Sequence, residues 1–419
     1  MYAVDPVDPG RPAAARTVKR LMPGSDGHRS PGGTATHPAP PVAFRQFVLK
    51  LHSRCDLACD HCYVYTMADQ RWRDLPRTMP PEVLDATARR IGEHARAHRL
   101  DRVSVILHGG EPLLAGPERV EAAVSVIRQG VAPVPVRLTV QTNAIRLDER
   151  YLSLFDRLDV RLSVSLDGDR AAHDRHRRGP DGQGSHARVE AALRRLTTGY
   201  PHLFNGLLCT VDLRNDPVAT YLGLLEHRPP TIDFLLPHGT WDTPPPGRPA
   251  DPRRTPYARW LISVFDRWYH APGPPVRIRL FDEIIQLLLG GASHLAGVGL
   301  SPVVVAVVQT DGQIEMDDTL AAAYAGAAGT GLHVQRDPFD VALDLPAVRA
   351  QQRGAAALCA TCGACELRRV CGGGLRTHRW RADNGFDNPS VYCPDLYALI
   401  DHIRQTVRRD VAALPRATR

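Results

Sequence analysis

Six short apolar runs recur along the first half of the chain: FRQFVLKL (44–51), VSVILHG (103–109), VRLTVQT (136–142), VRLSVSL (160–166), FNGLLCTV (204–211) and IDFLLPH (232–238). Each has the length and composition of a strand. The stretches between them place apolar residues three and four apart, as in EVLDATARRIGEHARAH (82–98) and SHARVEAALRRL (185–196). The second opens on Ser185, a candidate N-cap. Strands alternating with helices predict right-handed βαβ units and a parallel sheet. Six units fall short of the eight that close a barrel. The predicted fold class is α/β, a partial (β/α)6 barrel over 44–238, with chemistry expected on the loops that follow the strands.

The flanking pattern differs. Residues 1–43 are rich in Pro, Gly and Ala without apolar periodicity, which predicts a disordered arm. Prolines crowd TWDTPPPGRPADPRRTP (240–256), a predicted linker or lid, and two helices are expected near 257–270 and 280–290, so that 239–299 bridges two regions. Residues 300–419 read as a second, smaller domain. It holds a hairpin signal in VVVAVVQTDGQIEM, a cysteine-rich segment and a helical tail at 395–414.

Composition narrows the class. The chain has 419 residues, 43% of them hydrophobic, and no run reaches the ~18 apolar residues of a membrane span. The N-terminus lacks the apolar stretch of a signal peptide. These features predict a cytoplasmic protein without membrane contact, whose thiols serve metals or catalysis in preference to disulfides. The formal charge is +7, and only Lys19 and Lys50 among the 52 Lys and Arg residues are Lys. The basic residues are dispersed, with no block rich in both Arg and aromatics, so no nucleic-acid partner is predicted. An acidic peptide would suit the charge.

SRCDLACDHC (53–62) brings Cys55, Cys59 and Cys62 into eight residues, directly after the first predicted strand. A zinc site would need a fourth ligand, for which His52 and His61 are at hand. An iron–sulfur cube on three thiolates leaves one iron open. This C-x3-C-x2-C spacing resembles the signature of the radical S-adenosylmethionine (SAM) enzymes. The resemblance implies a [4Fe–4S] cluster whose open iron is chelated by SAM, and a 5′-deoxyadenosyl radical that abstracts hydrogen. His61 stands where that family commonly has an aromatic residue. Further matches fall on successive strand ends: HGGEP with Gly109, Gly110 and Glu111, implied to bind the SAM amino group; Asn143 in QTNA; Ser165 in SVSLDG, similar to a ribose contact; and Arg177 in HDRHR, similar to an arginine near the SAM carboxylate.

LCATCGACELRRVCGGGLRTHRW carries Cys359, Cys362, Cys365 and Cys371, and Cys393 follows in SVYCPDL. A structural zinc site is one reading. The segment also resembles the SPASM domain of peptide-modifying radical SAM enzymes. That resemblance makes Cys362, Cys365, Cys371 and Cys393 the ligands of one auxiliary [4Fe–4S] cluster. Leu375 and Asp317 stand where the family has further thiols, so the ligands of a second auxiliary cluster are missing and Cys359 is an extra thiol. Cys209, on a predicted strand, reads as a small buried hydrophobe.

From about 44 to 402 the chain is similar to the FxsB-type cyclophane-forming peptide maturases, through CDLACDHCYVY, ADQRWRDLPRTM, VILHGGEPLLAG, TVDLRNDPV, CGGGLRTHRW and GFDNPSVYCPDL. It has no HExxH motif and no evident winged-helix leader-binding module. The resemblance implies a ribosomally made precursor peptide as substrate, an aromatic ring joined to the β-carbon of a nearby residue, and an external electron donor such as flavodoxin or ferredoxin. A base is then needed when the ring regains aromaticity, and Asp318, after Gly312 in the hairpin, resembles a base of related SPASM enzymes; the auxiliary cluster is the expected electron acceptor. The alternatives are another peptide modification, by thioether or formylglycine formation, and a zinc-stapled interaction protein without turnover. Sulfatase-maturing enzymes normally keep the thiols missing here.

Overall fold

A computed structural model describes residues 40–272 and 276–413; most of the predicted disordered arm lies outside them. Six parallel strands run in sequence order, β1 (Gln46–His52), β2 (Val103–Gly109), β3 (Val136–Thr142), β4 (Arg161–Ser165), β5 (Phe204–Thr210) and β6 (Thr231–Leu235), with a two-residue β7 (Arg277–Ile278) beyond β6. Connecting helices cover the sheet. The helix Pro81–Ala97 starts with proline at its first turn, where no N–H partner is lost, and turns Val83, Leu84, Ala88, Ile91 and Ala95 inward. The predicted (β/α)6 barrel is the observed fold.

The helix at His186–Gly199 begins where expected, but the Ser185 hydroxyl does not cap it. It donates to the Arg177 carbonyl (2.7 Å) and lies 2.9 Å from Nε2 of buried His173, while the Asp174 carboxylate accepts the His186 N–H (2.8 Å). The preceding short helix, Arg170–His176, supplies the capping oxygen, and sequence spacing does not show that.

The hairpin signal after residue 300 forms β8 (Val305–Val308) and β9 (Gln313–Glu315), followed by β10 (Gly329–His333). β8 pairs in parallel with β1, from Gln46↔Val305 to Leu49↔Val308, so one ten-stranded sheet has the order β10-β9-β8-β1-β2-β3-β4-β5-β6-β7. The barrel sheet thus continues across the boundary read from the sequence. Without β8, β1 would present an apolar open edge.

The proline-rich 240–256 segment is strapped down. Trp241 donates its backbone N–H to Trp380 O (3.0 Å) and its indole N–H to Pro389 O (2.8 Å), with the Arg248 guanidinium 4.5 Å from its ring centroid. Helices then run over Pro256–Tyr269 and Arg279–Leu288, close to expectation. The last helix, Cys393–Ala413, packs on Pro256–Tyr269 through Tyr269–Asp410 (2.8 Å) and His402–Asp266 (2.6 Å), and Asp395 accepts the Ala258 N–H (2.9 Å). No helix among the described residues is long and apolar enough to cross a membrane.

Candidate active site

The loop after β1 carries Cys55, Cys59 and Cys62 into a cavity at the C-terminal ends of the strands. His61, Gly109, Gly110, Glu111, Asn143, Ser165 and Arg177 line the same cavity, so every residue nominated around the first thiol triad converges there. They come from five loops separated by up to 122 residues of sequence (Cys55 to Arg177), brought together because parallel strands all end at one face. Gly109 has φ +150°, and a Cβ there would lie 2.1 Å from the His52 carbonyl oxygen; this approach of β2 to the thiol loop admits only glycine.

Glu111 is 1% exposed and braces the cavity floor. Its Oε1 accepts the Thr142 hydroxyl (2.7 Å) and the Leu113 N–H (3.0 Å), and its Oε2 accepts the Asn143 N–H (2.8 Å). Its oxygens are thus engaged with the protein, which makes it a positioning residue for Asn143. Burial pushes its pKa up from 4.5 to about 7. The folded chain therefore holds a proton between those values that the unfolded chain releases, and the Glu111 contribution to stability falls as pH rises through that window. Glu111→Ala strands all three donors. We expect it to lower stability by at least about 2 kcal/mol and to weaken SAM binding, read by anaerobic urea unfolding and by equilibrium dialysis.

Asn143 Nδ2 lies 2.9 Å from Asp56 Oδ1 and 3.6 Å from Cys55 Sγ. Ser165 Oγ accepts from Gln141 Nε2 (3.1 Å). Arg177 is not a surface arginine: its guanidinium is 12% exposed and donates twice to the Asp167 carboxylate (2.6 and 3.2 Å), which holds Asp167 down at about 2 against the effect of burial. His61 Nε2 sits 3.8 Å from Asp167, and burial lowers its pKa to about 4, so the ring is neutral beside the triad. Burial likewise pushes the Cys59 thiol up to about 11, with Arg177 pulling it down. A bound cation is what ionises such a thiol, so the donor set suits a metal cluster.

Asp318 opens a short 3-10 turn, Asp318–Ala322, while its neighbour Asp317 caps the turn by accepting the Thr319 N–H (3.0 Å). The Asp318 carboxylate, 16% exposed, is ion-paired with the buried Lys50 ammonium and accepts the Tyr63 hydroxyl (2.8 Å). Lys50 also lies 3.2 Å from Nδ1 of His108, whose ring burial keeps neutral, with a pKa of about 4. Lys50 and the other partners hold the Asp318 pKa down to about 2, whereas burial and the Asp318 charge push Asp317 up to about 6. Asp318 faces a second chamber that shares Tyr63, Val64, Gly109 and Gly110 with the triad cavity. Sequence reading missed Lys50, Tyr63, His108 and Asp167. The available signal was Lys50 itself, a rare lysine inside the apolar run FVLKL.

The second thiol group gathers around short helices at Ala360–Ala364 and Arg368–Cys371 and the first residue of the last helix. Cys362, Cys365, Cys371 and Cys393 lie close enough to shift one another's charge, and buried Cys359 does the same to Cys362 and Cys393, so the extra thiol belongs to the same group. Burial pushes Cys362 up to about 12 and Cys393 to about 11. Arg379, 9% exposed, donates to the carbonyls of Gly372, Gly373 and Gly374 and places its charge beside Cys362, Cys371 and Cys359. Gly372 has φ +60°, and a Cβ there would lie 1.7 Å from Gly299 O. These thiols, which a bound metal would ionise, and this arginine suit an anionic cluster. Arg379→Met should lower bound iron from about eight to about four per chain, measured by iron counting, with 5′-deoxyadenosine formation retained. The groups these sites fit are one [4Fe–4S] cluster with SAM on Cys55, Cys59 and Cys62, and an auxiliary cluster on the C-terminal thiols.

Residues 49–207 match the family model of the radical SAM superfamily. The cysteine-type anaerobic sulfatase-maturating enzyme of Clostridium perfringens (strain 13 / Type A) is 25% identical over 283 residues, 62% of this chain and 70% of that protein. Native anSMEcpe with bound AdoMet has a TM-score of 0.74 at 21% identity, covering 88% of this chain and 100% of that chain. The same protein with bound AdoMet and Cp18Cys peptide has a TM-score of 0.73 at 20% identity, covering 88% and 99%. The solved structures share the fold, and the family match falls on the strands that carry the thiol triad. Residues 49–207 are thus a radical SAM domain, and SAM and [4Fe–4S] clusters are its cofactors.

Proposed function

We propose that this chain is a peptide-modifying radical SAM enzyme that oxidises a side chain at its β-carbon, with Asp318 as the base. The observation that carries the reading is the Asp318 carboxylate, kept ionised by buried Lys50 and Tyr63 in a chamber that adjoins the triad cavity. The bound groups supply a hydrogen-abstracting radical and an electron acceptor. The chain's own part is to hold the peptide, exclude water and take one proton at Asp318 Oδ1, the carboxylate oxygen that Lys50 and Tyr63 do not engage, after the hydrogen atom has left. An external one-electron donor such as flavodoxin or ferredoxin is part of this proposal.

Two outcomes share that step. Similarity to a sulfatase-maturating enzyme favours formylglycine-type oxidation of a cysteine or serine. The thiol inventory supports the second reading, a cyclophane crosslink from an aromatic ring to a β-carbon. Among the described residues one auxiliary thiol group is present, and Leu375 and Asp317 stand in place of further ligands. Cluster-loaded enzyme, SAM and a reductant, given a cysteine-type sulfatase peptide and separately a small peptide encoded beside this chain's gene, distinguish them by mass spectrometry. Formylglycine formation from cysteine exchanges sulfur for oxygen and also removes two hydrogens, the sulfur leaving as sulfide. Crosslinking removes two hydrogens and silences backbone fragments between the joined residues. A C–S bond instead would indicate thioether formation. If neither peptide is changed nor raises 5′-deoxyadenosine above the peptide-free level, the reading fails.

A further inference from the structure

Far from the thiols, on the outer helical layer, two imidazoles converge on one carboxylate oxygen. His94 lies in the helix Pro81–Ala97 and His98 is its C-cap, four residues on and thus one turn along the same face. Asp340 comes from the first turn of the helix Phe339–Asp344, which follows β10. His94 Nδ1 and His98 Nε2 each lie 2.7 Å from Asp340 Oδ1, and the three atoms lie within 4.8 Å of one another.

We propose that His94, His98 and Asp340 form a binding site for a divalent transition-metal ion of the zinc class, separate from the iron–sulfur sites. Two histidines at i and i+4 on one helix with a carboxylate from a second element are a zinc-type donor set, and imidazole with carboxylate suits zinc over the softer, all-thiolate preferences of iron–sulfur clusters. The two 2.7 Å separations need to open by roughly 0.6 Å to reach the ~3.3 Å between ligand atoms of a tetrahedral zinc ion. The burial pattern suits an anchored, open site. The His94 side chain is 1% exposed, whereas those of His98 and Asp340 are 31% and 45% exposed, so solvent reaches the outer side and can complete the coordination.

The inner side favours the ligating tautomer. His94 Nε2 is buried with no hydrogen-bond partner of good geometry, and the rings of Phe44, Phe47 and Phe339 stand around the imidazole with centroids 5.7, 6.0 and 6.2 Å away. A proton on Nε2 can turn toward aromatic faces, whereas a bare lone pair there gains nothing from them. Placing the proton on Nε2 frees the Nδ1 lone pair, which points at Asp340. A cation between Nδ1, the His98 nitrogen and the carboxylate then takes the place of the protons in the two 2.7 Å contacts, each proton moving to the other nitrogen of its own ring. Such an ion would tie the helix after β1 to the segment after β10 and so clamp the hairpin side of the sheet to the barrel.

The test uses the full chain with its iron–sulfur clusters loaded, so that the cysteines are occupied. Protein is exposed anaerobically to zinc chloride, desalted, and assayed for zinc and iron. The wild type should retain about one zinc per chain, with iron unchanged, and zinc should raise its unfolding temperature. His98→Ala and Asp340→Asn, both at partly exposed positions, should lose the zinc and the temperature shift while keeping iron and 5′-deoxyadenosine formation. Zinc retention by either variant equal to the wild type, zinc bound only at the expense of iron, or no retained zinc in the wild type would overturn the proposal.

Discussion

Replacing Cys55, Cys59 and Cys62 together by alanine should abolish 5′-deoxyadenosine formation and lower bound iron from about eight to about four per chain. The three thiols share one cavity with the residues that surround it from four further loops, and no other thiol lines it. Their pKa values are raised, chiefly by burial. As free thiols they are held protonated, and alanine leaves a small apolar gap where a metal had ionised them. The fold should survive, because the core lies under the helices and not under this loop. Iron counting and product assay on the same sample separate loss of the cluster from loss of the protein. Deoxyadenosine that persists in the triple variant would exclude the triad as the cluster site. Near-stoichiometric zinc at these thiols in the wild type, without iron, would do the same.

Asp318→Asn should slow peptide product formation by about 10²–10⁴-fold while changing SAM cleavage much less. The amide keeps the shape and can still meet Tyr63, but it takes no proton. Lys50→Met gives a companion result with a defined sign. With Lys50 present, Asp318 titrates near 2, so it is ionised at every pH at which the enzyme can be assayed and adds no acid limb to the rate. The stabilisation from this depressed pKa is present above the ordinary carboxylate range and is lost only as pH falls through about 2. Methionine removes the positive charge that most opposes the effect of burial, so the Asp318 pKa should rise. Product formation by Lys50→Met should then increase with pH along a limb that the wild type lacks. An Asp318→Asn variant with wild-type product formation, or identical pH profiles for wild type and Lys50→Met, would assign the proton to another group.

The alternation of apolar runs and helical stretches was enough to read the barrel, because periodicities of two and three to four record which face of each element is buried. The thiol spacing was legible for the same local reason: a loop of eight residues can present three sulfurs to one point whatever surrounds it. Arg177 was harder to read. Sequence makes any arginine a surface residue by default, and only the Asp167 carboxylate, ten positions earlier but on the preceding strand end, explains its burial.

Sequence by itself determined the strand and helix order, the two thiol groups and the loops that bear them, since these depend on residues close together in the chain. Tertiary structure decided which distant residues share a charge. Asp317 and Asp318 are adjacent and chemically identical in sequence, yet one caps a turn and the other meets Lys50 from β1, 268 residues away. Tertiary structure also seated β8 beside β1, pinned the proline-rich segment under Trp380 and Pro389, and brought Asp340 to His94 and His98. The physical reason is common to all four. Side-chain electrostatics and edge pairing act through space over a few ångströms, and the chain separations involved leave no local periodicity to read.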